Sequence, residues 1–191
     1  YSYYNPYSTI NNIGRGFSLF YQKFKPGKIN LTNSYNYDSF GGRYFYNIPI
    51  SENDHITLGA SYKYYNLKVL GECTQQQINQ GCIPTSTQVS NFVNENGNKY
   101  DVTSVDAGWN EVGQDRSIFP TKGLNQSLNA MISFPIFKHR ALDYYKTGYN
   151  ANLYVPLNQA RSFLIQLAGG VAYGNGYNST QGLPFLFNYY A

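Results

Sequence analysis

Apolar and polar residues alternate along most of this chain, in runs separated by proline, glycine and asparagine. A period of two marks a half-buried strand, because successive side chains of an extended backbone point to opposite faces. Between Ile13 and Lys23, residues Ile13, Arg15, Phe17, Leu19 and Tyr21 share one parity, opposed by Gly14, Gly16, Ser18, Phe20 and Gln22. Tyr35 to Ile48 carries Phe40, Tyr44, Tyr46 and Ile48 on one side, and His55 to Val69 sets Ile56, Leu58, Ala60, Tyr62 and Tyr64 against Thr57, Gly59, Ser61 and Lys63. Further runs cover Tyr100 to Asn110, Leu124 to Phe134, Tyr145 to Val155 and Phe163 to Tyr173, while Tyr1 to Tyr4 reads as a strand stub ended by Asn5-Pro6.

This gives seven strands and a stub, each strand about 10 to 14 residues long, slightly more than a tilted strand needs to cross a membrane. The parity predicts that Phe17, Leu19, Leu58, Ala60, Val105, Ala107, Ala130, Ile132, Ala151, Leu153, Ile165 and Leu167 share an outward face. Gly16, Ser18, Gly59, Ser61, Ser104, Asp106, Asn129, Met131, Asn150, Asn152, Gln166 and Ala168 belong to the other. Leu70 to Asn98 is polar and reads as one long loop, a length that is functional or mobile in a compact domain but ordinary on the outer side of a barrel.

The segment Gly108 to Gly123 joins two of the runs and concentrates charge, glycine and proline. Pro120 and Gly123 forbid a continuous ladder and predict a structured turn longer than a two-residue hairpin. Asp115-Arg116 is either a solvated pair or a pair that shapes the turn by side-chain hydrogen bonds, and Ile118-Phe119 is expected to pack back, with Phe119 near the rim.

Composition narrows the class. Aromatic residues make up 18% and charged residues 13%, with 21 tyrosines, whereas soluble domains carry about a quarter charged residues. Disordered chains are poor in aromatics, and no run approaches the length of a transmembrane helix, with a mean hydropathy of −0.46. Alternating segments, few charges and many tyrosines together describe a transmembrane β-barrel with an apolar outer face and a polar lumen. A net charge of +4 without a basic cluster gives no nucleic-acid partner. Cys73 and Cys82 enclose eight residues and lack nearby further ligands, so a loop disulfide is preferred to a zinc site.

Catalytic readings are poor. Asp101 and Asp106 have opposite parity, and Asp106 is expected to face the lumen against a neighbouring Lys or Arg. His55 and His139 read as a strand start and a solvated basic turn. No catalytic residue, cofactor or metal is called for.

The organising turn resembles the one after the eighth strand in the BamA family of outer-membrane assembly factors, where a Gly-Trp strand end leads into Asp-Arg-Gly-aromatic-Phe-Pro-Thr-x-Gly. The matching residues are Gly108, Trp109, Asp115, Arg116, Phe119, Pro120, Thr121 and Gly123, with Ser117 in place of the glycine and Ile118 in place of the aromatic. Asn5-Pro6-Tyr7, Ile48-Pro49-Ile50, Tyr154-Val155-Pro156-Leu157, Tyr173-Gly174-Asn175-Gly176 and Leu183-Pro184-Phe185 resemble further family turns in order.

The resemblance implies an all-β antiparallel meander forming part of a sixteen-stranded transmembrane barrel. Residues 1–191 would be about strands four to eleven and the start of the sixth outer loop, cut at both ends, with POTRA domains and the remaining strands outside it. It also implies a bacterial outer-membrane insertase that folds β-barrel proteins, with lipid, unfolded outer-membrane proteins and assembly lipoproteins as partners. The isolated segment is expected to self-associate. The rival readings are a porin-like or adhesion barrel without insertase activity, and a soluble tyrosine-rich sheet that stacks sugars or single-stranded nucleic acid.

Overall fold

The computed structural model describes residues 1–25, 35–69, 87–136, 141–158, 163–178 and 182–187. Their strands form one antiparallel sheet in sequence order: β1 (Ser2–Asn5), β2 (Gly14–Phe24), β3 (Tyr35–Pro49), β4 (Asp54–Val69), β5 (Lys99–Val112), β6 (Gly123–Phe134), β7 (Tyr144–Pro156) and β8 (Leu164–Gly176). The stub is β1, paired through Ser2–Asn5 with Ser18–Arg15. The seven full strands run from 11 to 16 residues, β2 being the shortest and β4 the longest. An up-and-down meander puts four connections at one end, the turn end, and three at the other, the loop end, where the connection between β4 and β5 is the longest of all.

The register fixes the faces, since directly opposed residues of an antiparallel pair share one. Phe17 opposes Tyr44, which opposes Ala60, then Val105, then Ile132. One position along, Gly16, Phe45, Gly59, Asp106, Met131 and Lys146 make the row of the opposite face. Farther across the sheet Leu124, Leu153 and Leu167 are outward, and Asn125, Asn152 and Ala168 inward. Both predicted sets of positions therefore hold together, each on its own face. Leu19, Tyr21, Phe40, Leu58, Val105, Leu128, Ile132 and Leu167 are all exposed on the outward face, which is the apolar surface a lipid-facing wall presents.

The inner face departs from a uniformly polar lumen. Its turn-end half carries Thr57, Asn125, Asn129, Asn150 and Asn152, but its loop-end half is apolar and buried. Tyr65, Leu67, Tyr100, Val102 and Tyr144 pack there with Leu142 and with Val89 and Phe92 of a helix, α1 (Thr87–Asn96). Tyr65 stacks on Tyr100 at 5.1 Å between ring centroids, Phe92 meets Tyr100 edge-on at 5.5 Å, and Tyr144 stacks on Phe187 at 4.7 Å.

The helix corrects the reading of Leu70 to Asn98 as loop throughout. Val89, Phe92 and Val93 recur at helical spacing and form one apolar stripe. Gly97 ends the helix in the left-handed conformation at φ 73°, with its N–H donating to the Val93 carbonyl at 2.8 Å, a role that suits glycine. The stripe closes over the inner face, so the wall and a piece of its own β4–β5 connection share one core.

Candidate functional site

The β5–β6 connection continues the ladder for a few steps: the Gly113 N–H donates to Leu124 O at 2.9 Å and the Asp115 N–H to Lys122 O at 3.0 Å. Beyond that, the Asp115 carboxylate takes the place of a strand. Its Oδ1 accepts the Thr121 N–H at 2.8 Å and the Lys122 N–H at 3.1 Å, and its Oδ2 accepts the Thr121 hydroxyl at 2.5 Å. The Asp115 side chain is only 12% exposed. These donors, the Thr121 hydroxyl foremost and then the Thr121 amide, hold the carboxyl well below the usual carboxylate range, with smaller contributions from the Lys122 amide and the Arg116 charge.

Arg116 shapes the turn less. Its Nε lies 3.7 Å from Asp115 Oδ2 and its side chain is 56% exposed. Gly123 closes the turn at φ 116°, where a Cβ would collide with the Gly113 carbonyl oxygen, so only glycine fits. Pro120 lacks an N–H, and the next two amides, of Thr121 and Lys122, are the ones the carboxylate binds.

Ile118 and Phe119 do not pack back. They are 74% and 85% exposed, because the inside of the turn is filled by the Asp115–Thr121 bonds. Phe119 also sits in the left-handed region at φ 54°, a strained place for a bulky side chain ahead of proline. Thr121 is the residue that reading the turn by charge undervalued; it is 8% exposed, and its hydroxyl makes the shortest bond to Asp115.

A second polar group lies on the inner face. Arg43 of β3 reaches across β4 to Asp106 of β5, with Nε to Oδ1 at 3.2 Å and Nη2 to Oδ2 at 2.5 Å. The carboxylate–guanidinium pair is bidentate, the strongest geometry for such a contact. Gly59 lies beneath it, and a Cβ there would come within 2.7 Å of Asp106 Oδ1 and 2.8 Å of Arg43 Nη2. The Arg43 guanidinium also lies 5.0 Å from the centre of the Phe45 ring. Asp106 thus has the basic partner expected of it. Asp101 faces the other side and accepts the Tyr62 hydroxyl at 3.1 Å, so the two carboxylates do not meet. Ser61 and Ser104 share a hydrogen bond at 2.8 Å in the adjacent row. His139, Cys73 and Cys82 lie outside the described residues.

The antiparallel meander as a whole is what the comparisons with known proteins match. The Omp85 superfamily domain covers residues 1–191. The outer membrane protein assembly factor BamA of Neisseria meningitidis serogroup B is 24% identical over 199 aligned residues, which take in 99% of this chain and 23% of that protein. The crystal structure of BamA from Haemophilus ducreyi lacking POTRA domains 1–3 superposes with a TM-score of 0.77 at 26% identity, covering 100% of this chain and 35% of that one. The chain therefore spans about a quarter of the length of the curated relative. By fold, by the register of its lipid-facing rows and by a match along its whole length, the chain belongs to the Omp85 superfamily and forms wall of an outer-membrane β-barrel.

Proposed function

We propose that this chain is part of an insertase that folds β-barrel proteins and inserts them into the bacterial outer membrane. The observation that carries the reading is the match to assembly factors along the whole length of the chain. In this reading residues 1–191 are about strands four to eleven of a sixteen-stranded barrel, followed by the start of its sixth outer loop. The Asp115 turn then lies on the periplasmic side, where the short connections face soluble partners. The partners are outer-membrane lipid, unfolded outer-membrane proteins and assembly lipoproteins. The segment supplies positioned surfaces rather than bond chemistry, so the protein is not an enzyme and needs no cofactor.

The test is depletion of the full-length protein in its source bacterium, with quantification of heat-modifiable outer-membrane barrels. Several unrelated barrels should fall together while soluble periplasmic proteins hold steady. Loss confined to uptake of one solute class, or to surface adhesion, would instead identify a porin-like or adhesion barrel.

A further inference from the structure

The outer face is layered along its strands. Near the turn end, Ile48, Ile56, Trp109, Leu128 and Tyr149 form one cross-strand row. Toward the loop end the row through Ala60 and Val105 is followed by that of Tyr62 and Thr103, and then by Tyr21, Phe40, Tyr64 and Asp101. The next row is Lys23, Asp38, Asn66 and Lys99, and Lys68 stands opposite Asn36 one row farther out. Lys23, Lys68 and Lys99 are exposed. They come from three different strands, and only the register gathers them.

Their height is set by the strand. Lys99 and Trp109 bound the same face of β5 ten residues apart, which is about 33 Å of extended chain and roughly 25 Å along the membrane normal at a barrel tilt of about 40°. That equals the apolar band of an outer-membrane barrel. With Trp109 at one interface, where indole rings gather, Lys99 reaches the opposite headgroup layer. The tyrosine tier just inside the lysines fits an aromatic girdle. Lysine stems can lie along such a wall with the ammonium among the headgroups.

The carboxylates of this region leave the lysines available. Asp38 lies 3.9 Å from Lys68 Nζ, a loose contact in which the Lys68 side chain stays 64% exposed. Asp101 is held by the Tyr62 hydroxyl. Among the described residues no carboxylate forms an ion pair with Lys23 or Lys99. Closure of a barrel keeps this surface turned outward. The inner Arg43, Lys63 and Lys146, by contrast, face whatever else lines the lumen.

We propose that Lys23, Lys68 and Lys99 form a rim that binds the phosphate headgroups of lipid in the leaflet at the loop end. The proposal rests on the outward face being the lipid-facing one. Each ammonium offers donors to phosphate oxygens, and the attraction is electrostatic, so salt screens it.

The full-length protein, reconstituted in phosphatidylcholine vesicles, can be probed with spin-labelled phosphatidic acid, phosphatidylcholine or stearate. Motionally restricted phosphatidic acid should exceed phosphatidylcholine by about fivefold, the worth of one lysine near a charged headgroup. In 1 M NaCl, where screening acts within about 3 Å, the preference should collapse. The variant Lys23→Gln/Lys68→Gln/Lys99→Gln should lose it, and the corresponding triple arginine variant should keep it. Wild-type protein without a preference overturns the rim with no variant needed, as does a glutamine variant that retains the preference. Stearate enriched as strongly as phosphatidic acid overturns phosphate recognition in favour of bare charge. Restricted lipid of every kind in equal amounts sinks this proposal alone, whereas no restricted lipid at all sinks the lipid-facing reading beneath it.

Discussion

Asp115 ties the β5–β6 turn through three bonds from Thr121 and Lys122, and those bonds exist for the ionised carboxylate. Because the folded turn lowers its affinity for a proton, the contribution to stability is complete above the unfolded carboxyl's value of about 4 and is lost as pH falls below it. Asp115→Asn in the full-length protein should melt below wild type at neutral pH, and the gap should narrow on acidification; a gap that stays constant from neutral pH to strongly acidic pH would refute the linkage. Phe119 offers the opposite case: its ring is exposed and its backbone is left-handed. Strain of this type is of order 1–3 kcal/mol, so Phe119→Gly should raise the unfolding midpoint. A lowered midpoint would mean that the ring has a partner at the turn end that the exposed position conceals. For Cys73 and Cys82 the proposal remains a loop disulfide, which intact mass with and without reductant decides: reduction should add two hydrogens.

At the scale of elements, α1 is the part that depends most on packing. A helix of ten residues is marginal in isolation, so its stability comes from Val89 and Phe92 against Tyr100 and Leu67. Phe92→Ala should cost about 3 kcal/mol and, more tellingly, should accelerate amide exchange throughout α1 while the middle of β5 stays protected. Equal loss in both would show that helix and wall unfold as one unit. The same contrast explains what the sequence disclosed. Strands and their faces were legible because period two is enforced at every step, and a slip at Val105 or Leu153 would have turned a whole strand over. The helix was hidden because three apolar residues in a polar stretch resemble noise until a buried face is there to receive them. The Arg43–Asp106 pair was half legible: parity put Asp106 in the lumen, but only the register names Arg43 and shows why Gly59 lies between them. The lysine rim was invisible for the same reason, being a cluster only across strands.

For the whole molecule the open question is what the sheet's edges do. Among the described residues β8 pairs only with β7, and β2 beyond the reach of β1 pairs only with β3. In hydrocarbon an unpaired N–H or C=O has no water to turn to, so a barrel wall is stable only when its edges are joined. Outside the membrane the exposed face formed by Leu19, Phe40, Val105 and Leu167 is far from solvent-compatible, and a patch of this kind seeks another apolar surface. A polypeptide of these 191 residues, expressed alone, should therefore self-associate in mild detergent, by edges or by outer faces, and light scattering should find a dimer or larger species. A stable monomer would mean that the edges are satisfied by some closure that the meander does not show. The same open edges predict that the isolated polypeptide will not speed the insertion of other barrels, because edges consumed by self-pairing cannot template an incoming strand. Reconstitution in liposomes with an unfolded barrel substrate measures this directly. Folding at the rate of empty liposomes is expected, and faster folding would place insertion activity in these strands themselves.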